Sequence, residues 1–517
     1  MEYDIIVIGS GHNGLTTACY LAKWGLKVIV LEKRNVFGGG CITEEVTLPG
    51  FKHDIHSENH LWVRISPTMD ELQLEKYGLE YYIPEKLIGS GFPDGSSIVQ
   101  NIDIDKTLES ISKINEEDAD SYKRFYERYL EVSKIIFDSF FLTTPPGTGF
   151  MQAMEGSREG AEILRYMLLS PKDVLDENFK DDRVKTWLYA YAEQLGNAPD
   201  EPGSGFSIFL LPSFVQQYGL GKPIGGSGML TEAFLKCFKS LGGEVRGNSE
   251  VRRIIIEGGG ASGVELISGE KIRAKKAIVS MMSFPYLIKA TGEENLGYDF
   301  VKRANNFRYG YGIFMVHAAL DDQLNFISPE LDDATTITLY ESMDNCLKCF
   351  HQISMGEIPW DNILVFVSNY SVKLCEKTKK VPHGKATLYL ASPECIPNTK
   401  NLRNGTWDYN KVRFGEALIN KLSMYAPNLK DILLKVYFDS PADIERRNPT
   451  MAYGDAVLGR STLEQFLMRP FPGYTEYKTS ISNLYMTGGH TWPSGGVTTA
   501  PGYNCARIIK RDLKIGG

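Results

Sequence analysis

The sequence predicts an α/β fold in which a parallel sheet, assembled from three separated parts of the chain, is interleaved with a second domain of α+β type. Three blocks carry that prediction: one at the N-terminus, one beginning at Gly225, and one ending the chain. In the first, Asp4-Ile5-Ile6-Val7-Ile8 is a nearly continuous apolar run, as a strand buried on both faces requires. Gly9-Ser10-Gly11-His12-Asn13-Gly14 follows directly. Leu15 to Trp24 has the composition of an amphipathic helix, and Gly25 ends it. Val28-Ile29-Val30-Leu31 is a second buried strand, closed by Glu32 and Lys33.

Strand, Gly-x-Gly-x-x-Gly, helix, strand, acid is the order of a Rossmann-like dinucleotide-binding unit. Gly9 permits the tight turn, Gly11 lets a pyrophosphate approach the backbone, and Gly14 lets the helix pack on the strand. His12 and Asn13 lie within the same loop, and the helix that follows offers free N–H groups and a positive dipole end to phosphates. Glu32, about 20 residues further on, stands where a carboxylate accepts from ribose hydroxyls. Phe37-Gly38-Gly39-Gly40 comes next, where a two-part FAD motif places a glycine pair that a simple nicotinamide fold does not need. The expected cofactor is FAD.

The second block opens with Gly225-Gly226-Ser227-Gly228 and a helix from Leu230 to Ser240 that Gly242-Gly243 ends. Glu250 to Ile256 and Ala261 to Leu266 read as a hairpin about Gly258-Gly259-Gly260, and Lys276 to Ser280 as another buried strand. In the third block a strand from Ser482 to Thr487 leads into the glycine-rich loop Gly488 to Val497 and a helix from Thr498 to Lys510. A second helix N-terminus behind permissive glycines suits a flavin's phosphate, ribityl chain or pyrimidine oxygens. Two such turns at opposite ends of the chain fit a long cofactor.

The expected division is a discontinuous FAD-binding domain over residues 1–65, 221–283 and 476–517, with a substrate domain over 66–220 and 284–475. Helical spacing recurs at Met69–Tyr77, Asp103–Ile114, Ala119–Phe137 and Gly160–Leu169, strands are expected at Gly312–Leu320 and Ala386–Ala391, and a helix at Tyr409–Ala426. Two apolar patches stand out there, Ile135 to Leu142 and Phe206 to Leu211. They are domain core, the wall of a tunnel for an apolar substrate, or a peripheral membrane contact.

The 517 residues, 43% hydrophobic and 23% charged, have the composition of a folded protein. A net charge of −8 and a pI near 5.7 exclude a nucleic-acid binder that works through net positive charge. No run reaches the roughly 18 apolar residues of a spanning helix. The first strand begins by Tyr3 with no leader before it, so a cytoplasmic address is expected. Eight cysteines in so long a chain are not a disulfide framework. Cys346-x-x-Cys349 with His351 is the one metal-like spacing, and it lacks the second pair a structural zinc needs, so no metal is expected.

These motifs together resemble the phytoene desaturase-like family of FAD-dependent oxidoreductases. The resemblance runs through Ile8–Leu15, Leu31–Gly39 with Thr43-Glu44-Glu45, Gly225–Glu232, Arg469-Pro470 and Asn483–Arg507, including Gly495-Gly496-Val497 and Pro501-Gly502-Tyr503-Asn504. It implies a two-domain fold of the glutathione reductase type. It also implies that Gly9, Gly11 and Gly14 hold the pyrophosphate, Glu32 the adenosine ribose, and Gly38-Gly39, followed by Gly40, the ribityl side. Val251 would meet adenine through its backbone, and Gly488, Gly489, Gly496 and Val497 would close over the flavin. The chain departs from that pattern at Gly40-Cys41, where an arginine is common, and at His490-Thr491-Trp492, where smaller residues are common.

The expected activity is a dehydrogenase or desaturase taking a hydride from an apolar or partly apolar small molecule onto flavin N5. A flavin-dependent amine or alcohol oxidase is the alternative, and a non-redox lipid-binding escort protein shares the implied fold. His490 is the first candidate for acid/base or orienting work, with Trp492 beside it narrowing the space over the ring. His56 and His60, clustered with His53 and Trp62 in what reads as a wall of the site, are further candidates for the same catalytic work, as are Tyr311 and Arg447.

Overall fold

The computed structural model describes residues 2–145, 147–397, 402–403 and 405–516. The N-terminal apolar run forms the strand Glu2–Ile8, with parallel neighbours on both edges, Val28–Leu31 and Lys271–Ser280. Ile6 lies opposite Ile29 on one side and Ile278 on the other, so no polar side chain is needed at the middle of this strand. The whole sheet runs in the order Val251–Glu257, Gly260–Leu266, Lys271–Ser280, Glu2–Ile8, Val28–Leu31, Glu244–Arg246, with Leu484–Met486 paired to Lys271–Ser280. Lys271–Ser280 is one long strand rather than a short one behind a loop. Its first residues pair antiparallel with the hairpin and its last residues pair parallel with Leu484–Met486.

Gly9 takes a φ of +101°, which turns the chain out of the strand. The helix then begins at His12, earlier than the composition of Leu15–Trp24 suggested, and runs to Lys23. Gly14 therefore lies inside its first turn, where a Cβ would sit 2.5 Å from the Gly9 carbonyl oxygen. The C-terminal helix Ala500–Asp512 packs against this one just as tightly: a Cβ on Gly502 would overlap the Asn13 carbonyl oxygen. Thr17 donates its hydroxyl to the Gly502 carbonyl across the same crossing at 2.9 Å.

A second seven-stranded sheet has the order Leu433–Asp439, Gly312–Leu320, Ala386–Cys395, Val365–Tyr370, Thr336–Leu339, Lys86–Gly91, Ser97–Asn101. Its strands alternate. Phe314 turns to one face and packs on Trp407 and Phe414 of the helix Trp407–Ser423, whereas Ile313 and Met315 turn to the other and line a cavity. Tyr389 and Ala391 share that cavity face.

The helices Glu116–Phe140, Asp182–Glu193 and Ser207–Tyr218 lie beyond the cavity. The apolar patch Phe206–Leu211 is the start of the last of these, and it is apolar on all sides because it has no solvent face. Phe209 and Phe214 fill the core, while Phe206, Leu210 and Leu211 line the cavity. Among the described residues no helix is long and apolar enough to cross a membrane.

Gly14→Ala puts a methyl group against main chain that cannot rotate away. It should cost about 1–3 kcal/mol of stability, the usual penalty of overpacking, read as a lowered thermal unfolding midpoint. An unchanged midpoint would mean that the helix can lift off the strand freely.

Candidate functional site

One cavity of about 610 Å³ runs between the two sheets, from the first glycine loop to the Ser207–Tyr218 helix. At its first end Glu32 is held by three donors. Its Oε2 accepts from the Ser10 amide at 3.0 Å and hydroxyl at 2.6 Å, and its Oε1 from the Arg34 amide at 3.1 Å. The Ser249 amide bonds to the Glu32 carbonyl at 2.8 Å, which brings Val251 to the same end. Lys33 also lines the cavity, with its ammonium 3.4 Å from Glu250.

Past Glu32 the walls are backbone. Gly38 and Gly39 both have positive φ, and a Cβ on Gly39 would stand 3.0 Å from the Gly11 Cα. Two main-chain segments thus face one another with no side chain between them, beside a helix N-terminus that carries no capping side chain and no acid in its first turn. A phosphate chain needs this kind of surface. His12 joins it to the C-terminal loop, its Nε2 donating to the Gly496 carbonyl at 3.1 Å. Burial pulls the His12 imidazole down to about 4, so it is neutral at ordinary pH. Asn13 accepts from the Gly502 amide at 3.3 Å.

The C-terminal loop is shaped by two buried charges. Arg469 is fully buried and donates to the carbonyls of Leu458, Gly459, Arg460 and Gly489. Asp455 accepts from the amides of Gly310, Val457, Leu458 and Gly459. Together they clamp residues 455–460 onto the glycine loop, so closely that a Cβ on Gly495 would overlap the Val457 carbonyl. Gly489, Gly496 and Val497 line the cavity, as does Gly40. Gly488 stands behind them against the His490 ring.

His490 and Trp492 do not reach the cavity, contrary to expectation. The His490 ring packs edge-on against Phe284, 5.1 Å between centroids, and burial with the Arg469 charge pulls its pKa down to about 3. Trp492 is buried behind the loop, donating its indole N–H to the Ser139 carbonyl at 3.2 Å and packing on Phe466. It therefore narrows nothing. The cluster of His53, His56 and His60 does not converge either, since each ring bonds to a different partner. His53 bonds to Thr47 at 2.7 Å, and His60 to Tyr81 and Ser227, each at 2.9 Å. Of the three only His56 lines the cavity, with its Nε2 at 3.3 Å from the guanidinium of Arg447. Tyr311 and Arg447 do line it, and Arg447 is ion-paired with the buried Asp439.

Cys346 and Cys349 are buried on the helix Met343–Ser354, while the exposed His351 bonds instead to Asp200. Among the described residues no set of three metal-binding side chains converges.

Glu58, Asn59 and Glu193 are polar cavity residues that had no motif to mark them. Glu58 and Asn59 sit where the cofactor-side segment meets the second sheet, Asn59 donating to the Thr336 hydroxyl at 3.2 Å. Glu193 ends the Asp182–Glu193 helix at the apolar end. The Ser-Glu-Asn between two histidines was the only available signal for the first pair; Glu193 had none.

This geometry is that of a flavin-dependent oxidoreductase: a Rossmann-like sheet, two glycine loops at one cavity, and an apolar second wall. Residues 7–72 match the family of NAD(P)-binding Rossmann-like domains. A limonene dehydrogenase chain of Castellaniella defragrans is 27% identical over 99% of this chain and 95% of its own. The 4,4'-diapophytoene desaturase (4,4'-diapolycopene-forming) of a Methylomonas species is 23% identical over 98% and 94%. The fold is also that of cyclohexylamine oxidase from Brevibacterium oxydans, with a TM-score of 0.59 at 17% identity over 99% and 100% of the chains. Both sequence likenesses span nearly the whole chain, in keeping with the resemblance to phytoene desaturase-like flavoenzymes.

Burial holds His53 and His60 neutral as well, each pulled down to about 3. An imidazole with a lowered folded-state pKa binds its proton in the unfolded chain first, so stability is full above the ordinary value and is lost as pH falls towards the folded one. The thermal midpoint should therefore drop between about pH 6.5 and pH 4. A midpoint that stays level across that window would contradict the burial of these rings.

Proposed function

We propose that the cavity holds FAD and that the enzyme oxidises an apolar, terpenoid-like small molecule, taking a hydride from carbon. The carrying observation is the continuity of one cavity, from a backbone-walled anion site to a wall of Phe206, Leu210, Leu211, Val215 and Phe466. In this reading the cofactor's adenosine end lies by Glu32 and Val251. Its pyrophosphate meets Gly9, Gly11 and Gly14 with the first turn of the helix at His12 and Asn13. Its ribityl chain passes Gly38, Gly39 and Gly40, and Gly489, Gly496 and Val497 face the flavin.

When bound, the flavin supplies a two-electron acceptor. The protein's part is to hold the substrate against it and to keep water out. The apolar wall suits a hydrocarbon better than an amine, since a charged ammonium group would lose its hydration along Phe206, Leu210, Leu211 and Val215. The hydrocarbon substrates named for two relatives support the same choice.

Anaerobic bleaching of the bound flavin tests the reading, against a panel of limonene, an acyclic polyene, cyclohexanol and cyclohexylamine. The terpenoid hydrocarbons should bleach it and the amine should not. A colourless protein that cannot be reconstituted with FAD would overturn the proposal. Glu32→Ala should weaken FAD binding by roughly 1.5–3 kcal/mol, the worth of a hydrogen bond to a charged group, as measured by flavin fluorescence titration. Unchanged affinity would remove Glu32 from the site.

A further inference from the structure

We infer that Glu58 is the group that accepts the substrate's proton, with Lys222 as the positioning residue that sets its charge. This rests on the reading of the cavity as a flavin site with an apolar substrate. Removing two hydrogens from a hydrocarbon needs a proton acceptor as well as a hydride acceptor, and the histidines at or behind the wall are poor ones. His56 is held well below its ordinary pKa, first by burial and then by the Arg447 and Arg34 charges, and His490 lies outside the cavity.

Glu58 differs from them in three ways. It lines the cavity while only 4% exposed, so it borders the ligand space and is shut off from bulk solvent. Its Oε1 accepts only a long bond from Asn59, at 3.3 Å, and its Oε2 faces the Lys222 ammonium at 3.5 Å. Its position is also favourable. The adjoining Ser57 amide bonds to the Gly40 carbonyl at 3.1 Å, and Asn59 bonds across to the second sheet, so Glu58 lies between the glycines assigned to the ribityl chain and the sheet face assigned to the substrate.

The surrounding charges divide cleanly. Asp54 accepts from Lys380 at 2.6 Å, from the Tyr370 and Thr43 hydroxyls, and from the Ser227 amide. It is saturated, and Lys380 belongs to it. Lys222 donates to the Ser368 hydroxyl at 2.9 Å and lies 4.4 Å over the Tyr370 ring, which leaves Glu58 as its carboxylate. Burial raises the Glu58 carboxyl above its ordinary range against the pull of Lys222, Lys380 and the Ser368 hydroxyl, and the Asp54 charge adds to the rise. Burial likewise lowers the Lys222 ammonium. Burial thus makes the carboxylate more basic, while the Lys222 ammonium opposes the loss of its charge.

In the step assigned to Glu58 one substrate C–H bond breaks, its electron pair enters the new C=C bond, and the proton forms an O–H bond on the carboxylate. The neighbouring C–H would give up its hydrogen with the electron pair to the two-electron acceptor that a bound flavin would supply. The substrate is oxidised by two electrons and the flavin is reduced by two.

Two measurements on the FAD-loaded enzyme test this. In the first, infrared spectra are recorded across roughly pH 5 to 9, spanning the range in which a useful base must titrate, and the protonated-carboxyl band lost in Glu58→Gln is followed. That band should titrate inside the range, and Lys222→Met should move its midpoint upward. A Glu58 band that is absent or constant throughout, or unmoved by Lys222→Met, overturns the inference. In the second, Glu58→Gln should keep its bound FAD and slow bleaching by whichever panel compound reduces the wild type by about 10²–10⁴-fold, with Glu58→Asp recovering part of the loss. A rate within twofold of wild type also overturns it. If no panel compound bleaches the wild type, the substrate proposal fails, and the infrared titration still decides the case for Glu58.

Discussion

The constraint on which the molecule depends is the approach of bare backbone to bare backbone around the first helix. Gly14 admits the Gly9 carbonyl, Gly502 admits the Asn13 carbonyl, and Gly39 faces Gly11. The first two contacts exclude even a methyl group, and the third leaves little room for one. Their joint effect is to bring two helix N-termini and two glycine loops to one end of one cavity, although they lie almost the whole chain apart in sequence. The His12 bond to the Gly496 carbonyl closes that arrangement. A helix dipole acts only within about its first turn, so a site built from two such ends tolerates little slack.

The same economy explains why the cofactor-side sheet could be read from residues and much of the site could not. A parallel strand covered on both faces must be apolar throughout, and the turn beside it must be glycine, so Asp4–Ile8, Gly9–Gly14 and Val28–Leu31 announce themselves. Helix ends moved by a few residues because caps, not composition, decide them: Asn115 accepts from the Asp118 amide and starts its helix ahead of Ala119. The cavity walls are a tertiary product. Ile313 and Met315 line the cavity while Phe314 between them does not, a distinction that depends on which layer covers which face of the sheet. Nothing local to those residues carries it.

His490 and Trp492 show the limit from the other side. Both lie in a glycine-rich loop where a reactive group would be sought, yet the loop is folded over Arg469, whose donors take up the carbonyls of Gly489 and of the facing segment. That buried cation turns the loop's backbone towards the cavity and its large side chains away, into Phe284 and Phe466. Only the partner segment, residues 455–460, reveals this, and it is distant enough in sequence to escape any motif.

Burial finally separates two of the carboxyls that line the cavity, Glu193 and Glu58. Glu193, at the apolar end, is pushed up to about 8 by burial, against the hydrogen bond of Tyr340, and no cation among the described residues answers its charge. It therefore carries its proton at neutral pH and serves as a neutral polar group in an apolar wall. Glu58 has been moved in the same direction by the same cause, but Lys222 stands beside it and favours the ionised form. Two glutamates of one cavity thus differ in whether a cation stands beside them, and the one with a counter-charge is the one next to the glycine loop at Gly38–Gly40. Histidine, the usual choice near neutral pH, is excluded by the same burial, which leaves His56 without a proton and beside the Arg447 cation, where it will not take one up. In a site this dry, a carboxylate with its own buried counter-charge is a better base than an imidazole.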